Sequence, residues 1–212
     1  MEAQPVWDRF KRCDTDVMDA DDVIPRERDW FRRLVGQVLK QRGAKRFLAK
    51  YPRLSLRLSW LDAIFPGALF IHMTRDWRAV VNSTVRRKIK REQRGGGWFG
   101  VHIPGWRDLE GISHEVAAAR QFRVVTQTLE QAATHFEGRF FQVCYEALCS
   151  DVAATLRRLA EQCDLPWYSG FSSTLPTELK SANYKWREQF DESVLESIHE
   201  ENRAFFLRYE RD

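Results

Sequence analysis

Two residues eight positions apart, Arg75 and Ser83, are of the types and spacing that could hold a phosphate. Arg75 follows the apolar run Ala68-Leu69-Phe70-Ile71-His72-Met73-Thr74, which reads as a strand, and Ser83 lies two helical turns further on. Ligands of open α/β sheets bind at the carboxyl ends of strands. An arginine there offers a planar fork that matches phosphate oxygens, and the serine adds a hydroxyl donor. Such a clamp recognises an anion and performs no chemistry of its own. The alternative for Arg75 is a structural ion pair with Asp76 or another acid. Lys50 is a second cation at a predicted strand end, just before Tyr51-Pro52, with a solvated lysine as its alternative.

The elements that must position these residues are legible from periodicity. Arg26 to Gln41 carries Trp30, Phe31, Leu34, Val35, Val38 and Leu39 at three- and four-residue spacing, an amphipathic helix that Gly43 stops. Lys45 to Lys50, centred on Phe47-Leu48-Ala49, predicts a buried strand, and Arg53 to Phe65 returns to helical spacing before Pro66-Gly67. After the strand that ends at Thr74, Asp76 is the N-cap of a helix with Val80, Val81 and Val85, running into the cationic stretch Arg86 to Arg91. A long aromatic loop spans Gly95 to Gly111 with Trp98, Phe99 and Trp106, and long loops in compact domains are functional or mobile. A helix from Ser113 to His135, a strand from Phe140 to Tyr145, a helix from Asp151 to Cys163 and a last helix from Asp191 to Phe206 complete an α/β pattern with a parallel sheet. With no internal repeat and no linker composition, one domain over 1–212 is expected.

Composition narrows the partners. The 212 residues are 43% hydrophobic and 30% charged, ordinary for a folded globular chain, with a net charge of +4 that suits an anionic ligand but not a nucleic-acid-binding surface. Cys13, Cys144, Cys149 and Cys163 have no paired zinc spacing, so no metal is expected. Buried free thiols, a cytoplasmic setting and no membrane span are the corresponding expectations.

The segment KRFLAKYPRLSLRLSWLDAIFPGALFIHMTRDWRAVVNSTVRR resembles the sulfotransferase superfamily that uses 3′-phosphoadenosine 5′-phosphosulfate, especially its bacterial and tyrosylprotein branches. The resembling positions are Lys50, Pro52, Arg75, Asp76, Arg78, Val80 and Ser83. Tyr145-Glu146 and Asn183-Tyr184-Lys185-Trp186-Arg187 resemble two later motifs of that family, from whose pattern Cys144 and Ala147 depart. The resemblance implies a P-loop-NTPase-like three-layer α/β fold and transfer of a sulfuryl group to a hydroxyl or amine of a small molecule or peptide. It also implies roles: Arg75 and Ser83 on the donor's 3′-phosphate, Tyr145 and Lys185 lining the nucleotide, Lys50 as the catalytic cation at the bridging oxygen and Glu2 as general base. Asp8 and His72 are further candidates for the base.

The family's leading strand and its phosphosulfate loop have no equivalent from Met1 onward, and Gly95-Gly96-Gly97 follows a charged helix rather than a strand. The expectation is an N-terminally incomplete domain in which the strands ending at Thr74 and Tyr145 lack a shared central partner, leaving a gap or a direct, distorted pairing. An inactive nucleotide-binding or interaction protein is the competing reading. A P-loop kinase shares the architecture but not the Lys-x-Pro and Arg-to-Ser spacing, and Arg86 to Arg94 is most simply a solvated helix end. The acceptor and the oligomeric state are not legible.

Overall fold

The computed structural model describes residues 4–209. They form two compact units, one of residues up to Ala68 together with Gly100–Asp108, the other of Leu69–Phe99 and Leu109 onward.

The first unit contains α1 (Gln4–Trp7), α2 (Pro25–Arg42) and α3 (Leu58–Ile64). Pro25 opens α2 at a position where its missing N–H costs nothing, and Gly43 closes it in the left-handed region at φ 59°. The apolar stripe of α2 buries Phe31, whose ring stacks on Trp7 at 5.5 Å and meets the edge of Trp60 at 5.2 Å. Met18, Tyr51, Leu54 and Ile64 complete that core.

Two expectations fail in this unit. The helix expected from Arg53 to Phe65 is split into a 3₁₀ turn, Pro52–Leu56, and α3, because Arg57 leaves helical geometry at φ −135°. Its guanidinium is fully buried, donating to the carbonyls of Asp16 and Trp7 and to the carboxylates of Asp8 and Asp16 at 2.9–3.1 Å. Lys45 to Lys50 is not a buried strand but an irregular stretch, with Phe47 and Leu48 43% and 81% exposed. Residues become a strand only when a neighbour takes their N–H and C=O groups, and the described strands pair only with each other.

Asp16 also ties in part of the aromatic loop. Its N–H donates to the His102 carbonyl at 2.7 Å, and its carboxylate accepts the His102 N–H at 2.6 Å. Trp106 Nε1 and the Arg107 guanidinium both donate to Asp14.

The second unit contains β1 (Phe70–Thr74), α4 (Trp77–Glu92), α5 (His114–His135), β2 (Phe140–Cys144), α6 (Tyr145–Ser150), α7 (Val152–Gln162), α8 (Ser169–Ser172) and α9 (Glu192–Leu207). β1 and β2 are parallel, and parallel neighbours need a long crossover, here made by α4 and α5. Rather than flanking a gap, the two strands hydrogen-bond directly in continuous register, Phe70 opposite Phe140 through Thr74 opposite Cys144. The core lies among α4, α5 and α9 around Trp77, Val81, Val85, Ala118, Ala119, Ile198, Phe205 and Phe206. On β1, Ile71 and Met73 are 42% and 49% exposed.

Candidate functional site

At the carboxyl end of β1 the chain turns through Arg75 and Asp76 into α4. Asp76 caps the helix by accepting the Arg78 N–H at 2.8 Å, and the same carboxylate takes the Arg78 guanidinium in a bidentate pair at 2.9–3.2 Å. Arg78 also lies over Trp186 at 4.6 Å. The ion pair considered for Arg75 therefore goes to Arg78 instead. Arg75 donates Nε to Asn183 Oδ1 at 2.8 Å and stacks on the Tyr145 ring at 4.2 Å. Among the described residues it meets no carboxylate, so its other N–H donors are unmatched.

Those donors face a cleft of about 380 Å³. Arg75, Ser83 and Lys185 line it, together with Asn82, Arg86, Arg87 and Lys90, and among the described residues no acid does. The α4 members are three and four residues apart, so they share one helix face. The five cations form no ion pair among the described residues, which leaves this cleft strongly positive. Asn82 is 3% exposed and its Oδ1 has no hydrogen-bond partner among the described residues, an orphan polar atom in a cleft wall. Buried polar atoms are nearly always matched, so the wall is suited to a polar ligand.

The rest of the cationic run is used differently. Arg91 donates to the Gly97 carbonyl at 3.0 Å, and Gly96 lies where a Cβ would come within 2.7 Å of the Arg91 side chain. The three glycines thus wrap the end of α4. Lys88 is buried, with Nζ 3.3 Å from the Trp98 ring centre, and burial pushes its pKa down to about 8.

Behind Arg75, Glu146 accepts the Asp76 N–H at 2.9 Å, the Asn183 amide at 2.6 Å and the Cys144 thiol at 3.1 Å. Burial pushes its carboxyl up, but these three donors together outweigh that and hold the pKa below the ordinary value. Tyr145 accepts the Ala182 N–H on its hydroxyl at 3.4 Å, so it packs between Arg75 and the segment that carries Lys185.

The remaining candidates lie elsewhere. Lys50 is exposed in the first unit, at the end of the irregular stretch, and its neighbour Tyr51 is buried with its hydroxyl donating to Asp8 at 2.8 Å. Asp8 is engaged by Arg53 and Arg57, which occupy its carboxylate. His72 is lowered in pKa by burial, and its Nδ1 has no hydrogen-bond partner among the described residues. Glu2 lies outside the described residues. Asn82 escaped the sequence reading, although its helical spacing with Ser83, Arg86 and Lys90 signalled it, and Glu146 and Asn183 stood in the two later motifs without a role assigned to either.

A sulfotransferase family model matches residues 4–169, most of the chain. The chain belongs to the sulfotransferase family. Lys50, Arg75, Ser83 and Tyr145 fall inside the matched part, and Asn183 and Lys185 beyond it. Among curated sulfotransferases, the chain is 27% identical over 160 residues to an omega-hydroxy-beta-dihydromenaquinone-9 sulfotransferase of Mycobacterium tuberculosis, covering 71% of this chain and 37% of that protein. It is 31% identical over 124 residues to a putative protein-tyrosine sulfotransferase of Caenorhabditis elegans, covering 58% of this chain and 42% of the relative. The chain thus spans less than half the length of these sulfotransferases. Its fold is that of a sulfotransferase domain from the curacin biosynthetic pathway, with a TM-score of 0.55 at 15% identity over 85% of this chain and 68% of that domain.

Proposed function

We propose that this chain belongs to an enzyme that transfers a sulfuryl group from 3′-phosphoadenosine 5′-phosphosulfate to a hydroxyl or amine acceptor. The observation that carries the reading is the acid-free cleft at the end of β1, where Arg75, Ser83 and Lys185 converge and Arg75 keeps its donors unmatched. A phosphate monoester suits that combination of fork, hydroxyl and ammonium, and membership of a sulfotransferase family favours a nucleotide that bears one.

In this reading Arg75, Ser83 and Lys185 hold the 3′-phosphate, and Tyr145 fixes the plane of Arg75. Sulfuryl transfer, like phosphoryl transfer, depends on in-line positioning and on stabilising the charge that grows on the leaving oxygen. Lys50 supplies an ammonium for that oxygen, and Glu2 takes the proton of the acceptor hydroxyl. The names of the relatives point to a hydroxylated quinone in one case and a protein tyrosine in the other, so a small molecule or peptide with a free hydroxyl is the acceptor class.

Calorimetry with adenosine 3′,5′-bisphosphate and adenosine 5′-monophosphate tests the clamp. The bisphosphate should bind more tightly, and equal affinities would overturn the assignment. Sulfuryl transfer assayed with wild type and Lys50→Ala tests the chemistry, with turnover lowered more than donor affinity. Binding without any turnover would favour the nucleotide-binding, non-catalytic reading.

A further inference from the structure

Between Glu146 and Arg75 stands a side chain whose orientation is dictated by its two neighbours. A carboxylate only accepts hydrogen bonds and a guanidinium only donates them, whereas an asparagine amide has one end of each kind. Asn183 turns Nδ2 to Glu146 Oε1 at 2.6 Å and Oδ1 to Arg75 Nε at 2.8 Å. The flipped amide would lose both bonds, so the network itself settles which end is which. Glu146 is anchored in turn by the Asp76 N–H at 2.9 Å and the Cys144 thiol at 3.1 Å. Three segments, the ends of β1 and β2 and the stretch at Asn183, thus meet behind one arginine.

We propose that Glu146 and Asn183 are positioning residues that make the cleft selective for a phosphate monoester, by holding Arg75 in a single orientation without neutralising it. The proposal rests on the nucleotide-clamp reading given above. A carboxylate set directly on Arg75 would cancel its charge and compete with the ligand for the same fork. The interposed amide is neutral and consumes only Nε, leaving Nη1 and Nη2 unmatched among the described residues. Tyr145 fixes the plane of the guanidinium, and Asn183 fixes its rotation within that plane. Arg86, Arg87 and Lys90 are exposed side chains on the same cleft, and among the described residues none of them has a side-chain hydrogen bond like that of Arg75 to Asn183, although Arg87 lies over the Phe99 ring at 6.0 Å. They attract any anion, and the held arginine tells one anion from another.

Four variants separate this role from simple scaffolding: Asn183→Leu, Asn183→Asp, Glu146→Ala and Glu146→Gln. Two quantities are read, the affinity ratio of adenosine 3′,5′-bisphosphate to adenosine 5′-monophosphate, and solvent exchange of the Arg75 Nε–H by NMR in the ligand-free protein. Asn183→Leu and Glu146→Ala should expose the Arg75 Nε–H and lower the ratio by roughly 10- to 100-fold, the loss expected for a hydrogen bond to a charged group. Asn183→Asp should lower the ratio at least as far, because its carboxylate occupies Arg75. Glu146→Gln should retain most of the ratio, since one side-chain oxygen can still accept from both Asp76 and Asn183. An Arg75 Nε–H that stays protected in Asn183→Leu overturns the relay whichever nucleotide binds, and so does a Glu146→Gln chain as impaired as Glu146→Ala. A wild-type chain with no preference between the nucleotides, but with a protected Arg75 Nε–H, overturns the nucleotide reading instead.

Discussion

Arg75 and Arg78 are three positions apart and differ in everything that decides what a cation does. Arg78 is matched by Asp76, which is 3% exposed, while Arg75 faces a cleft with no acid in its wall. Their alanine variants should therefore fail differently. Arg78→Ala leaves a nearly buried carboxylate without its cation, which costs about 3–5 kcal/mol, and should show as a lowered urea midpoint. Arg75→Ala should cost less in urea unfolding, about 1–3 kcal/mol for the bond to Asn183, and lower bisphosphate affinity roughly 10- to 100-fold in calorimetry. Lys88 gives a pH signature of its own. Its pKa falls from the ordinary 10.5 to about 8 through burial, so between those values the unfolded chain keeps a proton that the folded chain has released. Stability then rises with pH across that window, and the full penalty, at most about 3 kcal/mol, applies below it. Lys88→Met should be more stable than wild type at pH 7, with the difference shrinking by pH 10 in urea melts.

Among the elements, α4 does the most work. Trp77, Val81 and Val85 face the core, Asn82, Ser83, Arg86, Arg87 and Lys90 face the cleft, and Lys88 turns under Trp98. One helix can serve three environments because its 3.6-residue period separates them by angle. The sheet is less complete. Parallel sheets are ordinarily covered on both faces, yet Ile71 and Met73 of β1 are exposed beside the buried Val143 of β2. Met73→Ala should accordingly change stability by no more than about 0.5 kcal/mol, whereas Val143→Ala should cost about 1–3 kcal/mol. Equal costs in thermal melts would mean that the β1 face is covered in solution.

On the scale of the molecule, charge is organised in opposite ways in the two units. In the first, cations and acids are interleaved: Asp16 and Arg57 are fully buried, and Lys11, Arg53 and Asp8 pair with them. Removing one member leaves buried charge unmatched, so Asp16→Ala should cost about 3–5 kcal/mol, measured by denaturant unfolding. In the second unit the cleft gathers cations without acids. Anion binding there should weaken steeply with ionic strength, since exposed charges are screened within about 8 Å at physiological salt. The small net charge of +4 averages over these two arrangements and reveals neither.

By itself, the sequence determined the order of most elements and the family. Helix periodicity and caps are local properties, and Asp76, Gly43 and the apolar stripes of α2, α4 and α5 act within a turn or two of themselves. The Arg75–Ser83 spacing was legible for the same reason, because one strand end and two helical turns carry it. What only the tertiary structure decided is whatever depends on a partner far along the chain. Lys45 to Lys50 has strand-like residues but joins neither described strand in a sheet, and Arg57 breaks a helix because acids about 40 positions and more away capture it. Asn183 reaches Arg75 across 108 positions, and no local pattern encodes that contact. Propensity is a property of a few consecutive residues, whereas pairing, burial of charge and the aim of a guanidinium are properties of whatever the fold brings beside them.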